Sequence, residues 1–161
     1  MTPRFGIVGR KNAGKTTLVT RLVAHLVERN YRVATVKHAH HSLEFDREGT
    51  DSWKHRKAGA SEVALVGANR WAVMGELRGA PEPTLDEIIA RLSPVDLIVI
   101  EGFKGGTHPK IELRRGGTPL DPDKCPNIVA VAENGGTFDP DDIEDIAAFV
   151  LDHVSLTAIR A

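Results

Sequence analysis

The stretch Gly9-Arg10-Lys11-Asn12-Ala13-Gly14-Lys15-Thr16-Thr17 follows a short apolar run, Phe5-Gly6-Ile7-Val8, and precedes a segment with helical periodicity. Its spacing satisfies the pattern G-x-x-x-x-G-K-[ST], and a strand before with a helix after is the context that this pattern needs. The pattern restricts the fold severely. A buried strand must end, the chain must turn tightly on glycine, and a helix must begin with its unpaired amides aimed at the same point. Those amides converge on anionic oxygens, and glycine lets the backbone approach them. Lys15 is then placed to bridge β- and γ-phosphate oxygens, and the Thr16 hydroxyl to take one position on Mg²⁺. Thr17 reaches toward an α-phosphate. Gly9, Lys11, Asn12, Ala13, Gly14, Lys15, Thr16 and Thr17 form the expected binding set, with Lys11 and Arg10 equally readable as exposed loop cations.

The rest of the chain reads as α/β. Leu18, Val19, Leu22, Val23, Leu26 and Val27 recur at three- and four-residue spacing, which predicts a helix over Lys15 to Arg29 stopped at Asn30. Arg32 to Lys37 is a second strand, completing a βαβ unit with a right-handed crossover. Thr50 to Ala58 reads as a helix capped by Thr50 or Asp51 and closed by Gly59. Glu62 to Val66 and Arg70 to Leu77 suit a hairpin. Thr84 and Glu87 make a capping box before Ile88, Ile89 and Leu92. Asp96 to Ile100 has the unbroken apolarity of a strand covered on both faces. Lys110 to Leu113 and Ile128 to Ala132 are further strands, and Asp139 caps a last helix with Pro140 in its first position. The expected fold is a single domain over residues 1–161, a P-loop NTPase-like, mostly parallel sheet flanked by helices with an antiparallel hairpin extension.

Charge and composition narrow the partners. With 21 basic and 22 acidic residues the net charge is -1, so no global field draws in nucleic acid or an anionic membrane. The single cysteine, Cys125, allows no disulfide within the chain and suits a reducing compartment. No apolar window approaches the length of a membrane span. A soluble cytoplasmic protein is expected.

Magnesium on a P-loop hydroxyl also needs a carboxylate from the end of a neighbouring strand. Glu101, directly after Asp96-Leu97-Ile98-Val99-Ile100, is the candidate; the alternative is a glutamate facing solvent. Thr16 and Glu101 are thus the expected metal pair. The loop from Lys37 to Asp51 holds His38, His40, His41, Asp46 and Asp51. Its histidines read as phosphate partners, as solvated side chains or as transition-metal ligands. Asp51, at a helix start, is placed ahead of Asp46 as the acid that orients water or reaches the metal's outer shell, with a plain helix cap as its other reading. Asp51 and Glu101 are therefore the catalytic candidates, and His38 joins the binding set. Gly102 to Gly106 reads as a cationic second switch. No N-K-x-D signature occurs, which leaves the base unread, and Glu133-Asn134 is where base contacts are expected.

Four blocks, "GRKNAGKTT", "VKHAHH" with "FDREGTDSWKHRKAGA", "RWAVMGE", and "LIVIEGFK" with "PKIELRR", together resemble the MobB family of molybdopterin-guanine dinucleotide biosynthesis adaptor proteins. The resemblance covers roughly half the chain, in the right order. It implies a dimeric GTP-binding protein with feeble GTPase activity that assists the molybdenum cofactor guanylyltransferase, the enzyme that attaches GMP to molybdopterin, with molybdopterin itself as a further candidate partner. Gly9 to Thr17, the His38 to Asp51 loop and Glu101 carry over. Arg115 to Asn127 matches no block, and Glu133-Asn134 stands where the family tends to carry Asp. Trp71, Val73 and Met74 on the hairpin suit either a two-fold contact or core packing. Two other functions compete with the adaptor: a P-loop small-molecule kinase with Asp51 or Glu101 as base, and a metal-delivery GTPase using His38, His40 and His41.

Overall fold

The computed structural model describes residues 2–39 and 46–156. The chain runs β1 (Arg4–Gly9), α1 (Lys15–Glu28), β2 (Val33–Lys37), α2 (Asp51–Ala58), β3 (Glu62–Val66), β4 (Trp71–Gly75), α3 (Leu85–Ala90), β5 (Leu97–Glu101), β6 (Lys110–Leu113), β7 (Ile128–Ala132) and α4 (Ile143–His153). It divides into two compact units, one of residues 1–38 and 85–161 and one of residues 39–84.

In the first unit five strands pair in the order β2-β5-β1-β6-β7, every pair parallel. Parallel strands need helices on both faces, and β5 shows it: all five of its residues are buried. Strand alternation sends Leu97 and Val99 to one face, with Leu18, Leu22 and Leu26 of α1 and Ile146 and Val150 of α4. Ile98 and Ile100 go to the other, under Leu85, Ile88 and Ile89. All the strands point the same way, so their carboxyl ends, the start of α1 and the loops between them share one edge. That is where ligands of open α/β sheets bind.

The second unit holds α2 and the hairpin of β3 and β4, paired antiparallel as a separate two-stranded sheet. Thr50 caps α2 by accepting from the Trp53 amide at 3.4 Å, and Gly59 closes it at φ 113°. Arg56 joins three parts of this unit. Its Nε donates to Asp46 Oδ2 at 3.1 Å and its Nη1 to Glu76 Oε1 at 2.7 Å.

The last helix begins later than expected. Asp142, not Asp139, is its cap, accepting from the Asp145 amide at 3.2 Å. Asp139 instead closes a tight turn, taking the Asp141 amide on Oδ1 at 2.9 Å while its carbonyl takes the Asp142 amide at 3.0 Å. Two acids at suitable spacing each offer a cap, and the turn decides between them.

Burial beneath the sheet includes unexpected polar groups. Lys110 is fully buried, and its ammonium donates to the carbonyls of His108 and Pro126, each at 2.8 Å, and of Gly106. His108 lies in a slot between glycines: a Cβ on Gly6 would come within 2.7 Å of its Nε2, and one on Gly106 within 2.7 Å of its Cε1. Its Nε2 has no hydrogen-bond partner. Burial first, then the Lys110 and Arg4 charges, push its pKa down to about 4 from 6.5. A base with a lowered native pKa leaves the unfolded chain to take the proton first. Stability is therefore full above pH 6.5 and is lost as pH falls toward 4. Urea unfolding at pH 7 and pH 4.5 should show a loss of about 2 kcal/mol that the His108→Gln variant does not share.

Candidate functional site

The phosphate-loop pattern takes its shape from close contact between strands. Gly9 ends β1 at φ 157°, and a Cβ there would lie 2.5 Å from the Leu113 carbonyl oxygen on β6. Only glycine lets the chain leave the sheet at this point. Gly14 is the N-cap of α1 at φ 95°, a left-handed conformation, and gives the helix no side-chain cap. The first-turn amides are thus left to an external acceptor, as an anion site needs.

Lys15 curls back over the loop, its Nζ donating to the Arg10 carbonyl at 2.7 Å. Burial lowers its pKa below the usual lysine range; Glu101 works against that shift, and Lys104 and Lys37 add to it. An anion beside this ammonium would restore the charged form. Ala13 is buried, while Lys11, Asn12 and Thr17 are exposed. Arg10 ties the loop to the segment after β6 through Thr118, donating from Nε to its carbonyl at 3.1 Å and from Nη2 to Oγ1 at 2.6 Å. The Arg115 guanidinium lies over Gly14, its Nε 3.4 Å from where a Cβ would stand.

Thr16 and Glu101 meet. The threonine hydroxyl lies 2.9 Å from Glu101 Oε1 and 3.1 Å from Oε2, and Glu101 is only 8% exposed. The solvent-facing alternative does not describe this side chain. Lys37 Nζ stands 3.1 Å from both Glu101 Oε1 and Thr16 Oγ1. A hydroxyl and a carboxylate are hard oxygen donors suited to Mg²⁺, and a cation already contacts both. The donor set fits a divalent ion; Thr16 and Glu101 would hold it, and it would neutralise phosphate charge.

His38 follows directly. Its amide donates to the Glu101 carbonyl at 2.9 Å and its ring stacks on Phe103 with centroids 4.5 Å apart. Beside the loop a cleft of about 570 Å³ opens between Arg114, Arg115, Gly116, Glu133, Asn134 and Asp141. A smaller one of about 180 Å³ shares Arg114 to Gly116 and reaches Arg10 to Ala13. Glu133-Asn134, where base contacts were expected, lines the first. Arg114 is fixed there by Glu112, at 2.6 Å, and by Glu133, at 3.3 Å.

Asp51 belongs to the second unit, in the first turn of α2, with its carboxylate 89% exposed and 3.3 Å from Lys54. Asp46 is held by Arg56 through a hydrogen bond that keeps its carboxyl below the usual range. His40 and His41 lie outside the described residues, and among those described no cluster of three metal-ligating side chains occurs. Motif reasoning assigned nothing to Lys37, Arg114 or Arg115. For Lys37 a signal existed, since it ends the predicted strand that neighbours the one ending in Glu101. For the arginines the one trace was the block "PKIELRR", which gave them no role.

This geometry agrees with comparison to known proteins. Residues 5–134 match the family described as MobB, molybdopterin guanine dinucleotide synthesis protein B. The chain belongs to the MobB family. It is 41% identical over 116 residues to the molybdopterin-guanine dinucleotide biosynthesis adapter protein of Haemophilus influenzae, an alignment spanning 70% of this chain and 64% of that protein. It is 34% identical to the Escherichia coli adapter protein over 94% of this chain and 93% of that one. The crystal structure of a MobB homolog from Bacillus stearothermophilus superposes with a TM-score of 0.67 at 27% identity, covering 96% of this chain and 99% of that one. The P-loop NTPase-like class expected from the first motif is the fold of these MobB neighbours, and the hairpin forms a sheet of its own.

The Gly9 contact is directly testable. Gly9→Ala should cost about 1–3 kcal/mol in urea unfolding because its methyl group meets backbone rather than a side chain that can move aside.

Proposed function

We propose that the chain is a GTP-binding adapter in molybdopterin guanine dinucleotide biosynthesis. It binds GTP with Mg²⁺ and assists a guanylyltransferase that joins GMP to molybdopterin, in the cytoplasm and as a homodimer. The observation that carries this reading is the meeting of Thr16 and Glu101 at 2.9 Å beside an uncapped helix start. The names of the relatives, both adapter proteins, support the pathway. No observation favours the small-molecule kinase.

In this reading Lys15, which now donates to the Arg10 carbonyl, would hold the triphosphate together with the first-turn amides of α1. Gly9, Asn12, Ala13 and Gly14 supply close backbone, Lys11 and Thr17 flank it, and His38 fixes the end of β2 by its stack on Phe103. Arg114, Arg115 and Asn134 line the cleft offered to the nucleoside. Glu101 is an anchor: with Thr16 and Lys37 on its oxygens it is not a mobile base. Slow turnover, with Asp51 as the acid that would orient water, belongs to the same proposal. No helix among the described residues is long and apolar enough to cross a membrane.

The dimer is read from the hairpin. Val66 pairs with Trp71 and Ala64 with Val73, which places these four on one face. Val66 is 86% exposed, Trp71 66% and Val73 52%. Met74 pairs with the buried Val63 on the opposite face. Trp71 and Val73 are left for a partner copy.

Calorimetry with Mg²⁺ should show that Lys15→Ala weakens GTP binding by roughly a hundredfold with its circular dichroism unchanged, since the ammonium serves ligand charge and not the core. Detectable GTP binding that Lys15→Ala leaves intact would remove the reading. The doubly substituted Trp71→Ser/Val73→Lys protein should sediment as a monomer where the parent sediments as a dimer.

A further inference from the structure

No motif assigns Lys37 a role, yet it touches both atoms that the nucleotide site offers to a metal. Its place follows from register. Lys37 pairs with Glu101 across the parallel β2 and β5 strands, and alternation turns both side chains to the face where Val33, Leu97 and Val99 pack with α1. The ammonium stands 3.1 Å from Glu101 Oε1 and 3.1 Å from Thr16 Oγ1. A shift of one residue in either strand would send one of the charges to the opposite face.

We infer that Lys37 is a resident counter-ion of the metal site, which excludes free divalent cations and gives way only to one that arrives with a triphosphate. The inference rests on the nucleotide reading of the same site. A Mg²⁺ ion needs its oxygen donors at about 2.0–2.1 Å. An ammonium hydrogen-bonded to those oxygens would then share one coordination shell with the ion, and the two like charges repel strongly at that range. Glu101 is too buried to stand without a cation, and Lys37 provides one. The Lys37 side chain is itself 56% exposed, so it can swing aside on its four-carbon stem without opening the core. Free metal gives the displaced ammonium no new partner, whereas a metal-bound triphosphate brings anionic oxygens with it. Metal uptake is thereby coupled to nucleotide uptake.

The test is Mn²⁺ titration followed by electron paramagnetic resonance, without nucleotide, on the full-length protein and on Lys37→Ala, Lys37→Met and Lys37→Arg. The neutral variants should bind Mn²⁺ roughly tenfold or more tightly than the parent, and Lys37→Arg should stay weak. Adding Glu101→Gln to Lys37→Ala should abolish the gain. Met keeps the aliphatic stem, so it answers the question if Ala fails to fold by circular dichroism. Equal or equally undetectable Mn²⁺ binding in parent and neutral variants overturns the inference, as does a gain that survives Glu101→Gln. A separate calorimetric arm with GTP and Mg²⁺ on the parent protein reads the nucleotide site itself. GTP binding there with unchanged Mn²⁺ affinities sinks the counter-ion role alone, while no GTP binding sinks the reading beneath it.

Discussion

A carboxylate that the fold buries must be satisfied by the fold, and Glu101 is that carboxylate. It ends β5, which has a parallel partner on each side, β2 and β1. The Thr16 hydroxyl reaches it from the start of α1, and the Lys37 ammonium from the end of β2. Withdrawing such an acid from water is costly unless charge and hydrogen bonds return what solvation supplied. Helix α1 must therefore begin where its first hydroxyl meets the acid, and β2 must end in register with it. The sharp exit from β1 at Gly9 follows, because only a tight loop returns the chain to that helix start.

Packing makes the arrangement rigid. Leu18, Leu22 and Leu26 seat α1 on Leu97 and Val99, so the helix that carries Lys15 and Thr16 shares a core with the strand that carries Glu101. The opposite face of β5 is closed by Ile88 and Ile89 with Leu85. A close-packed interior transmits small shifts rather than absorbing them. A change in what Glu101 holds is thus felt at the end of β2, where the His38 amide bonds the Glu101 carbonyl and its ring stacks on Phe103.

Local patterns made much of this legible. Glycine, lysine and threonine at fixed offsets mark a phosphate loop because the chemistry needs them adjacent in the chain, and the apolar run before Glu101 marks a strand covered on both faces. What stayed hidden has no periodic signature. Arg114 joins the nearby Glu112 to the distant Glu133, His108 sits between the nearby Gly106 and the distant Gly6, and Lys110 spans two nearby carbonyls and that of Pro126, so each arrangement needs at least one partner from another strand or loop. The Asp139 cap failed for the opposite reason: two acids both satisfied the local rule, and only the turn between them selects Asp142. The hairpin was readable from its turn, but not that it would form its own sheet. Pairing between distant strands leaves little trace in either one.

Two lysines of the first unit, Lys37 and Lys110, show how one side chain serves opposite ends. Lys110 has no exposed surface, and its three donors are all met by main-chain carbonyls that cannot leave without unfolding the segment after β5. Burial lowers its pKa, and its bonds to main-chain carbonyls make it a fixed cross-tie between residues 106–108 and Pro126. Lys37 has a half-exposed side chain and binds side-chain oxygens, a carboxylate and a hydroxyl. An ammonium held by carbonyls has nothing to exchange with, because carbonyls beneath a sheet attract no free cation from water strongly enough to repay desolvation. One held by a carboxylate and a hydroxyl at the ligand edge sits in competition with any ion of higher charge. Residue type is the same in both places. Placement relative to the sheet edge decides which lysine is structure and which is a replaceable ion.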